Sequence, residues 1–118
     1  MYEIGIRPDW WKLEPAADSD TWSAIQQAIE RNDPHCRGVV VLGLAGSEDS
    51  LLRSFAAAAP FQIVKGFAVG RTVWAEVARL WLTGRIDHSQ ALDMIAARFA
   101  RLVQGWRAAR PRLAAAGN

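Results

Sequence analysis

Cysteine is almost absent from this sequence of 118 residues, because Cys36 is the only one. A single cysteine excludes an internal disulfide and a cysteine-based metal cage, and it is compatible with a reducing cytoplasm. Long apolar runs are missing as well: no stretch approaches the roughly 20 apolar residues that a membrane-spanning helix needs. The first residues lack the basic and then apolar layout of a signal peptide. We therefore expect a cytoplasmic protein with no metal site, no cofactor and no membrane partner.

A strong charge of one sign is lacking too. Lysine and arginine number 14 against 12 acidic residues, which gives a formal charge of +2. The basic residues are mostly arginines that are spread along helical stretches without a dense run, so we expect no nucleic-acid partner. Hydrophobic residues make up 51% and charged residues 22%, values typical of a folded globular protein. The length fits one domain with a real core.

The hydrophobic pattern predicts three strands that alternate with helices. The run at 38–44 is continuous, β-branched and bounded by glycines, which is typical of a strand that is buried on both faces, as parallel strands are. Asp18, Ser19 and Asp20 are candidate N-caps of the helix that follows the first strand, and Ser47-Glu48-Asp49 is expected to cap the helix that follows the second. The predicted strands span 9–14, 38–44 and 63–69, and the predicted helices span 21–31, 48–59, 72–82 and 89–109.

Strands separated by helices of this length predict an α/β fold of three consecutive β-α units with a parallel sheet. Both outer strands also look apolar on both faces, as interior strands do. Residues 1–110 are therefore interpreted as the C-terminal portion of a TIM (β/α)8 barrel, strands six to eight, and 111–118 as a frayed tail. The alternative is a free-standing small α/β domain that self-associates through its sheet edges.

Two charged residues on the first strand suggest chemistry. Lys12 and Glu14 are two residues apart, which places both side chains on one face of a strand. In a barrel lumen, burial favours the neutral amine, so Lys12 is a candidate nucleophile toward a carbonyl, with Glu14 as a proton shuttle. The alternative is a buried Lys12–Glu14 ion pair that only fills the lumen. Lys65 ranks second for the nucleophile because it lies early in its strand.

A phosphate site is predicted where the strands end. Gly70 permits a close approach to the backbone, Arg71 can bind a phosphate bidentately, and the N–H groups of Thr72 and Val73 are expected to be free at the start of a helix. Gly43 follows the preceding strand, and barrels often hold phosphate at the loops after strands seven and eight. The alternative is that Gly70 only makes a tight turn and Thr72 only caps the helix.

Three segments carry a family resemblance: residues 5–15, 33–44 and 64–72. They resemble the C-terminal domain fused to bacterial 5-dehydro-2-deoxygluconokinases, and the match runs to about Arg110. That domain is similar to class I aldolases of the tagatose-bisphosphate type, which are barrels with a Schiff-base lysine on the sixth strand. Their Leu-Lys-Val-Glu motif matches Trp11-Lys12-Leu13-Glu14, and their glycine-arginine corner matches Gly70-Arg71. The resemblance implies Lys12 as nucleophile, Glu14 as proton shuttle or orienter, and Gly70 with Arg71 as phosphate binder.

The resemblance also implies a place in myo-inositol catabolism. There, 6-phospho-5-dehydro-2-deoxygluconate is cleaved to dihydroxyacetone phosphate and malonate semialdehyde. The implied ligand is a phosphorylated sugar acid or ketose phosphate, and the implied partners are the remaining barrel units and a kinase domain, in cis or in trans. Three units supply only some of the groups an aldolase needs, so we expect the isolated chain to be inactive. The alternative is a noncatalytic module that binds a sugar phosphate or supports assembly of the kinase.

Overall fold

The computed structural model describes residues 1–44 and 46–111. This part of the chain alternates strands and helices as predicted, and each boundary lies within a few residues of its expected place. The predicted tail, 111–118, lies outside the described residues from position 112 onward. Within the described part, the elements after a short 3-10 turn at Tyr2–Ile4 are β1 (Trp10–Leu13), α1 (Ser19–Asn32), β2 (Gly38–Leu42), α2 (Glu48–Ala58), β3 (Val64–Ala68), α3 (Arg71–Leu82) and α4 (His88–Ala109).

Side-chain caps fix the starts of three helices. Asp18 caps α1 and Ser47 caps α2, each by accepting a hydrogen bond from a backbone N–H of the first turn. Of the three candidates at the start of α1, Asp18 is thus the cap, and the cap expected at the start of α2 is Ser47. Asp87 and Gln90 form a reciprocal capping box at the start of α4, which therefore begins slightly earlier than predicted. Such caps satisfy backbone donors that would otherwise be unpaired at a helix start.

The sheet is parallel and its strands follow the order of the chain, β1-β2-β3. Lys12 of β1 lies opposite Val40 of β2, and Val40 lies opposite Gly66 of β3. The predicted fold class, α/β with three consecutive β-α units and a parallel sheet, is therefore confirmed. Because parallel strands share one direction, their carboxyl ends meet at one rim of the sheet.

The hydrophobic core lies on one face of this sheet. Val39 and Val41 of β2 are fully buried there, and Phe67 of β3 stacks on Phe55 of α2 with ring centroids 4.9 Å apart. Each of the four helices contributes to the same cluster, so all four cover the same face of the sheet. The helical members that are buried are Trp22, Ile29, Leu51, Phe55, Ala58, Val73 and Leu102.

The opposite face of the sheet is open. Trp10 is 48% exposed, Lys12 is exposed, and Val40 and Leu42 are half-buried. The expectation that all three strands are buried on both faces is thus wrong for this chain. The physical reason is the handedness of the connections: right-handed crossovers between strands added in chain order all return on the same side of the sheet. No helix of the described residues is left to cover the other side.

Candidate functional site

A cavity of about 240 Å³ lies at the rim where β2 and β3 end. It is formed by the open face of the sheet, the loop after β2 and the first turn of α3. The predicted nucleophile and the predicted phosphate corner, although far apart in sequence, therefore meet at one cavity. The residues that line it are Lys12, Leu42, Gly43, Leu44, Ala68, Gly70, Arg71, Thr72 and Trp74.

Lys12 is one of only two lysines in the sequence. It is the third residue of β1, and it lies on the open face of the sheet. The two ion pairs found among the described residues involve other side chains, Arg98 with Glu76 and Arg101 with Glu48. The alternative of a Lys12–Glu14 ion pair is therefore not observed in the described part of the chain, and Lys12 lines the cavity without that partner.

Glu14 and Lys65 lie apart from this cavity. Glu14 comes one residue after β1 ends, is exposed, and is not among the lining residues. Lys65 is the second residue of β3, and its Cγ would be 2.5 Å from a Cβ placed on Gly38, the first residue of β2. Lys65 is thus at the amino end of the strands, opposite to the cavity, as its position in the sequence predicts.

Among the described residues, the start of α3 leaves two backbone donors at the cavity without a partner. Val73 and Trp74 both donate to the carbonyl oxygen of Gly70, at 2.8 and 3.2 Å. The expectation that the Val73 N–H is free is therefore wrong, because a tight first turn pairs it. The unpaired N–H groups of this turn are those of Arg71 and Thr72, and no side chain caps this end.

Two glycines bring polar side-chain atoms against the backbone at this rim. The Thr72 Oγ1 atom is 3.1 Å from the position that a Cβ on Gly43 would occupy, and it is buried without a hydrogen-bond partner among the described residues. The Trp74 Nε1 atom is 3.2 Å from the corresponding position on Gly70. Larger residues at 43 or 70 would displace these atoms. The rim therefore combines polar side chains, free N–H groups and the Arg71 guanidinium.

A neighbouring cavity of about 410 Å³ shares Arg71 and Thr72 with the first. It lies between the starts of α2 and α3 and the side of α4, and it contains two ion pairs. Arg101 donates to Glu48 at 2.7 Å, which lowers the pKa of that carboxyl. Arg98 donates to Glu76 at 2.8 Å, and this contact lowers the pKa of Glu76.

Of the three arginines that line the two cavities, one forms no ion pair among the described residues. Arg98 and Arg101 are each held by a carboxylate from another helix. Arg71 makes no ion pair within the described residues and lines both cavities. An anion that enters the first cavity would therefore meet the free charge of Arg71 rather than a neutralised pair.

Sequence reasoning missed four lining residues: Leu42 and Ala68, which are the last residues of β2 and β3, and Leu44 and Trp74. Trp74 is 46% exposed and lies one turn into α3, and the direction in which it points depends on how that helix is rotated. Leu44 is 52% exposed and has a φ of 52°, in the left-handed region that residues other than glycine seldom adopt. Neither position carries a sequence signal for a site, although left-handed residues outside glycine often occur near functional loops.

The described residues offer neither a metal centre nor a membrane span. No group of three or more His, Cys, Asp or Glu side chains in residues 1–44 and 46–111 is placed to hold a metal ion. No helix in the same ranges is long and apolar enough to cross a membrane. The polar groups that line the cavity are an amine, a guanidinium, a hydroxyl, an indole and backbone N–H groups.

Comparison with known proteins gives one match. A family model described as an uncharacterized protein conserved in bacteria (DUF2090) matches residues 1–110. No curated protein and no solved structure matches the chain.

Proposed function

The chain belongs to the DUF2090 family, and we propose that its three β-α units are strands six to eight of a TIM (β/α)8 barrel that works as a class I aldolase. Two features support this proposal. The strands are parallel and adjacent in chain order, and the helices lie on one face only. A doubly wound sheet places helices on both faces, whereas each wedge of a barrel has its helices outside and its open face toward the lumen.

The observation that carries the function is the shared cavity of Lys12 and Arg71. In a closed barrel the open face becomes the lumen wall, and the carboxyl ends of the strands hold the substrate. Lys12 is then the amine nucleophile. The phosphate of the substrate lies against Gly43, Gly70, Arg71 and Thr72, where two backbone N–H groups and the guanidinium have no partner in the described part of the chain.

The proposed reaction begins at the ketone of a phosphorylated sugar acid. The Lys12 amine adds to this carbonyl, and loss of water gives an iminium ion. A base then removes the proton of the hydroxyl on the β carbon, two carbons away from the iminium carbon. The bond between the α and β carbons breaks, and its electron pair moves toward the iminium to form an enamine. One product leaves as an aldehyde. Protonation of the enamine carbon and hydrolysis then release the ketose phosphate and restore the free amine.

The biological setting is proposed on the resemblance stated above. The substrate is 6-phospho-5-dehydro-2-deoxygluconate, the products are dihydroxyacetone phosphate and malonate semialdehyde, and the pathway is myo-inositol catabolism in the cytoplasm. The remaining barrel units and a 5-dehydro-2-deoxygluconokinase domain, in cis or in trans, are the proposed partners. No cofactor takes part in this scheme, because the lysine provides the electron sink.

A second candidate function is a noncatalytic module that binds a sugar phosphate. One observation favours it: Glu14, the proposed proton shuttle, does not line the cavity. This module needs the Arg71 corner and not the Lys12 amine. Phosphate binding that survives the loss of Lys12, together with no covalent capture of a ketose phosphate, would support the second candidate.

Capture of the iminium tests the aldolase proposal. The nucleophile and the phosphate corner are both in this chain, so the chain is incubated with dihydroxyacetone phosphate and sodium borohydride, which reduces an iminium to a stable secondary amine. We expect a mass increase that disappears in Lys12→Ala. The Lys65→Ala variant is the matched control, because it removes the only other lysine from the opposite end of the strands, and it should be labelled like the unchanged chain. Equal labelling of the chain and Lys12→Ala would remove Lys12 from the mechanism.

A further inference from the structure

We propose that Trp74 is a positioning residue for the phosphate group, and that its indole N–H donates a hydrogen bond to a phosphate oxygen at the corner formed by residues 70–72. The ligand class is a small phosphate ester of triose size. This inference rests on the proposed function, because it uses the same cavity, and it adds a residue to which the sequence pattern and the family resemblance give no role.

The first observation is the position of the indole. Trp74 lines the cavity of about 240 Å³ together with Lys12, Arg71 and Thr72. Its Nε1 atom lies 3.2 Å from the point where a Cβ on Gly70 would be. The nitrogen donor of the ring therefore lies next to Gly70. It can approach the backbone this closely because glycine has no side chain.

The second observation is that this donor has no partner. Among the described residues, the indole N–H of Trp74 has no hydrogen-bond acceptor, and neither have those of Trp10, Trp81 and Trp106, whereas those of Trp11 and Trp22 do. Trp11 donates to the Tyr2 hydroxyl at 2.9 Å, and Trp22 donates to the carbonyl oxygen of Ala16 at 2.9 Å. Indole donors usually find an acceptor within the protein when they are buried, but Trp74 is 46% exposed, so its N–H remains available to a ligand in the cavity. At Trp74 the acceptor is missing next to the one arginine of this rim that no carboxylate neutralises.

The third observation is a matching donor on the other side of the rim. The hydroxyl oxygen of Thr72 is buried without a hydrogen-bond partner in the described part of the chain. A phosphate ester has several acceptor oxygens and can bind several donors at once. Trp74 and Thr72 supply neutral donors, the first turn of α3 supplies two N–H groups, and Arg71 supplies the positive charge. The indole N–H thus completes a set of hydrogen-bond donors that recognises a phosphate group. A ligand without phosphate leaves the indole N–H without an acceptor.

Removal of the N–H without removal of the ring tests this role. The variant is Trp74→Phe, and the matched control is Trp81→Phe, because Trp81 lies on the same helix with a similar exposure of 45% and does not line the cavity. The dissociation constant of dihydroxyacetone phosphate is measured by calorimetry for the chain and both variants. We expect about a tenfold loss of affinity for Trp74→Phe, the size expected for one hydrogen bond to a charged group, and no change for Trp81→Phe.

A comparison with dihydroxyacetone separates positioning of phosphate from a general packing effect. Borohydride labelling by dihydroxyacetone, which lacks the phosphate group, should be the same for the chain and Trp74→Phe. Unchanged affinity for dihydroxyacetone phosphate in Trp74→Phe, or no measurable binding by the chain itself, overturns the inference. An equal loss of labelling with both ketones also overturns it, since the effect is then not on phosphate.

These outcomes are distinguishable from a failure of the proposed function. If Lys12 is labelled and Trp74→Phe binds as tightly as the unchanged chain, the aldolase proposal stands and the role of Trp74 falls. If Lys12 is never labelled and Trp74→Phe weakens the binding of dihydroxyacetone phosphate, the role of Trp74 stands in a noncatalytic phosphate site.

Discussion

Lys12 on β1 and Arg71 at the start of α3 line the same cavity of about 240 Å³. They are brought together because β1, β2 and β3 run parallel, so that residues near the carboxyl ends of the strands meet at one rim. An amine and a guanidinium at one rim are two of the groups that the proposed Schiff-base chemistry uses. Each of the following predictions tests one part of this arrangement.

Arg71 should determine phosphate affinity without affecting the fold. In Arg71→Ala we expect inorganic phosphate and dihydroxyacetone phosphate to bind about 10- to 100-fold more weakly, because a charge-assisted and potentially bidentate contact is lost. Calorimetric titration measures this effect. The control is Arg79→Ala, which removes an exposed arginine from the same helix and should bind as the unchanged chain does. Equal weakening in both variants would indicate general electrostatic attraction and not a site.

Gly43 should tolerate no side chain. A Cβ at position 43 would lie 2.5 Å from the Val69 Cγ1 atom and 3.1 Å from the Thr72 Oγ1 atom. We therefore expect Gly43→Ala to lower the free energy of unfolding by about 1–3 kcal/mol, the usual range for overpacking. Urea unfolding followed by circular dichroism measures it. Gly66→Ala is the control, since nothing lies within 4 Å of its Cβ position; a similar loss there would show that the contact at Gly43 is not the cause.

The ion pair between Glu48 and Arg101 should give a small dependence of stability on acid. The hydrogen bond from Arg101 lowers the pKa of Glu48 below its ordinary value of 4.5. The unfolded chain therefore takes up this proton first as the pH falls. The stabilising contribution is complete above pH 4.5, and it is lost as the pH falls from there through the lower value of the folded state.

Glu48→Gln tests that sign. At pH 7 the variant should be less stable than the unchanged chain by under about 1 kcal/mol, because both partners are partly exposed to solvent. The difference should shrink as the pH falls below 4.5, and it should also shrink in high salt. The control is Asp49→Asn, an exposed acid in the same first turn of α2 that forms no ion pair among the described residues. A difference between the unchanged chain and Glu48→Gln that grows on acidification contradicts the account.

The sequence carries enough information for the sheet and for most of the site. The glycine-bounded, β-branched run at 38–44 predicts β2 because few other structures accommodate such a run, and the three β-α units then determine the parallel direction. Once the strands are parallel, Gly43, Gly70 and Arg71 must lie at the same rim as the end of β1. These residues could be grouped correctly before any coordinates were known, because the grouping depends only on topology.

Three features could not be predicted from the sequence, for physical reasons. The direction of the Trp74 indole depends on the rotation of α3 about its axis, which packing across the whole domain sets. The left-handed backbone at Leu44 has no signal because leucine rarely adopts it. The sequence predicts strands that are buried on both faces, whereas one face of the sheet is open. The apolar content of a strand does not determine whether residues of the same chain cover its second face.

The site of covalent capture is the most direct test of the central claim, that Lys12 is an amine nucleophile next to a phosphate corner. The chain is treated with dihydroxyacetone phosphate and sodium borohydride, digested, and mapped by peptide mass spectrometry. The account predicts one adduct, on Lys12, that competing inorganic phosphate suppresses. An adduct on Lys65 or on the amino terminus in place of Lys12, or labelling that phosphate leaves unchanged, would contradict it.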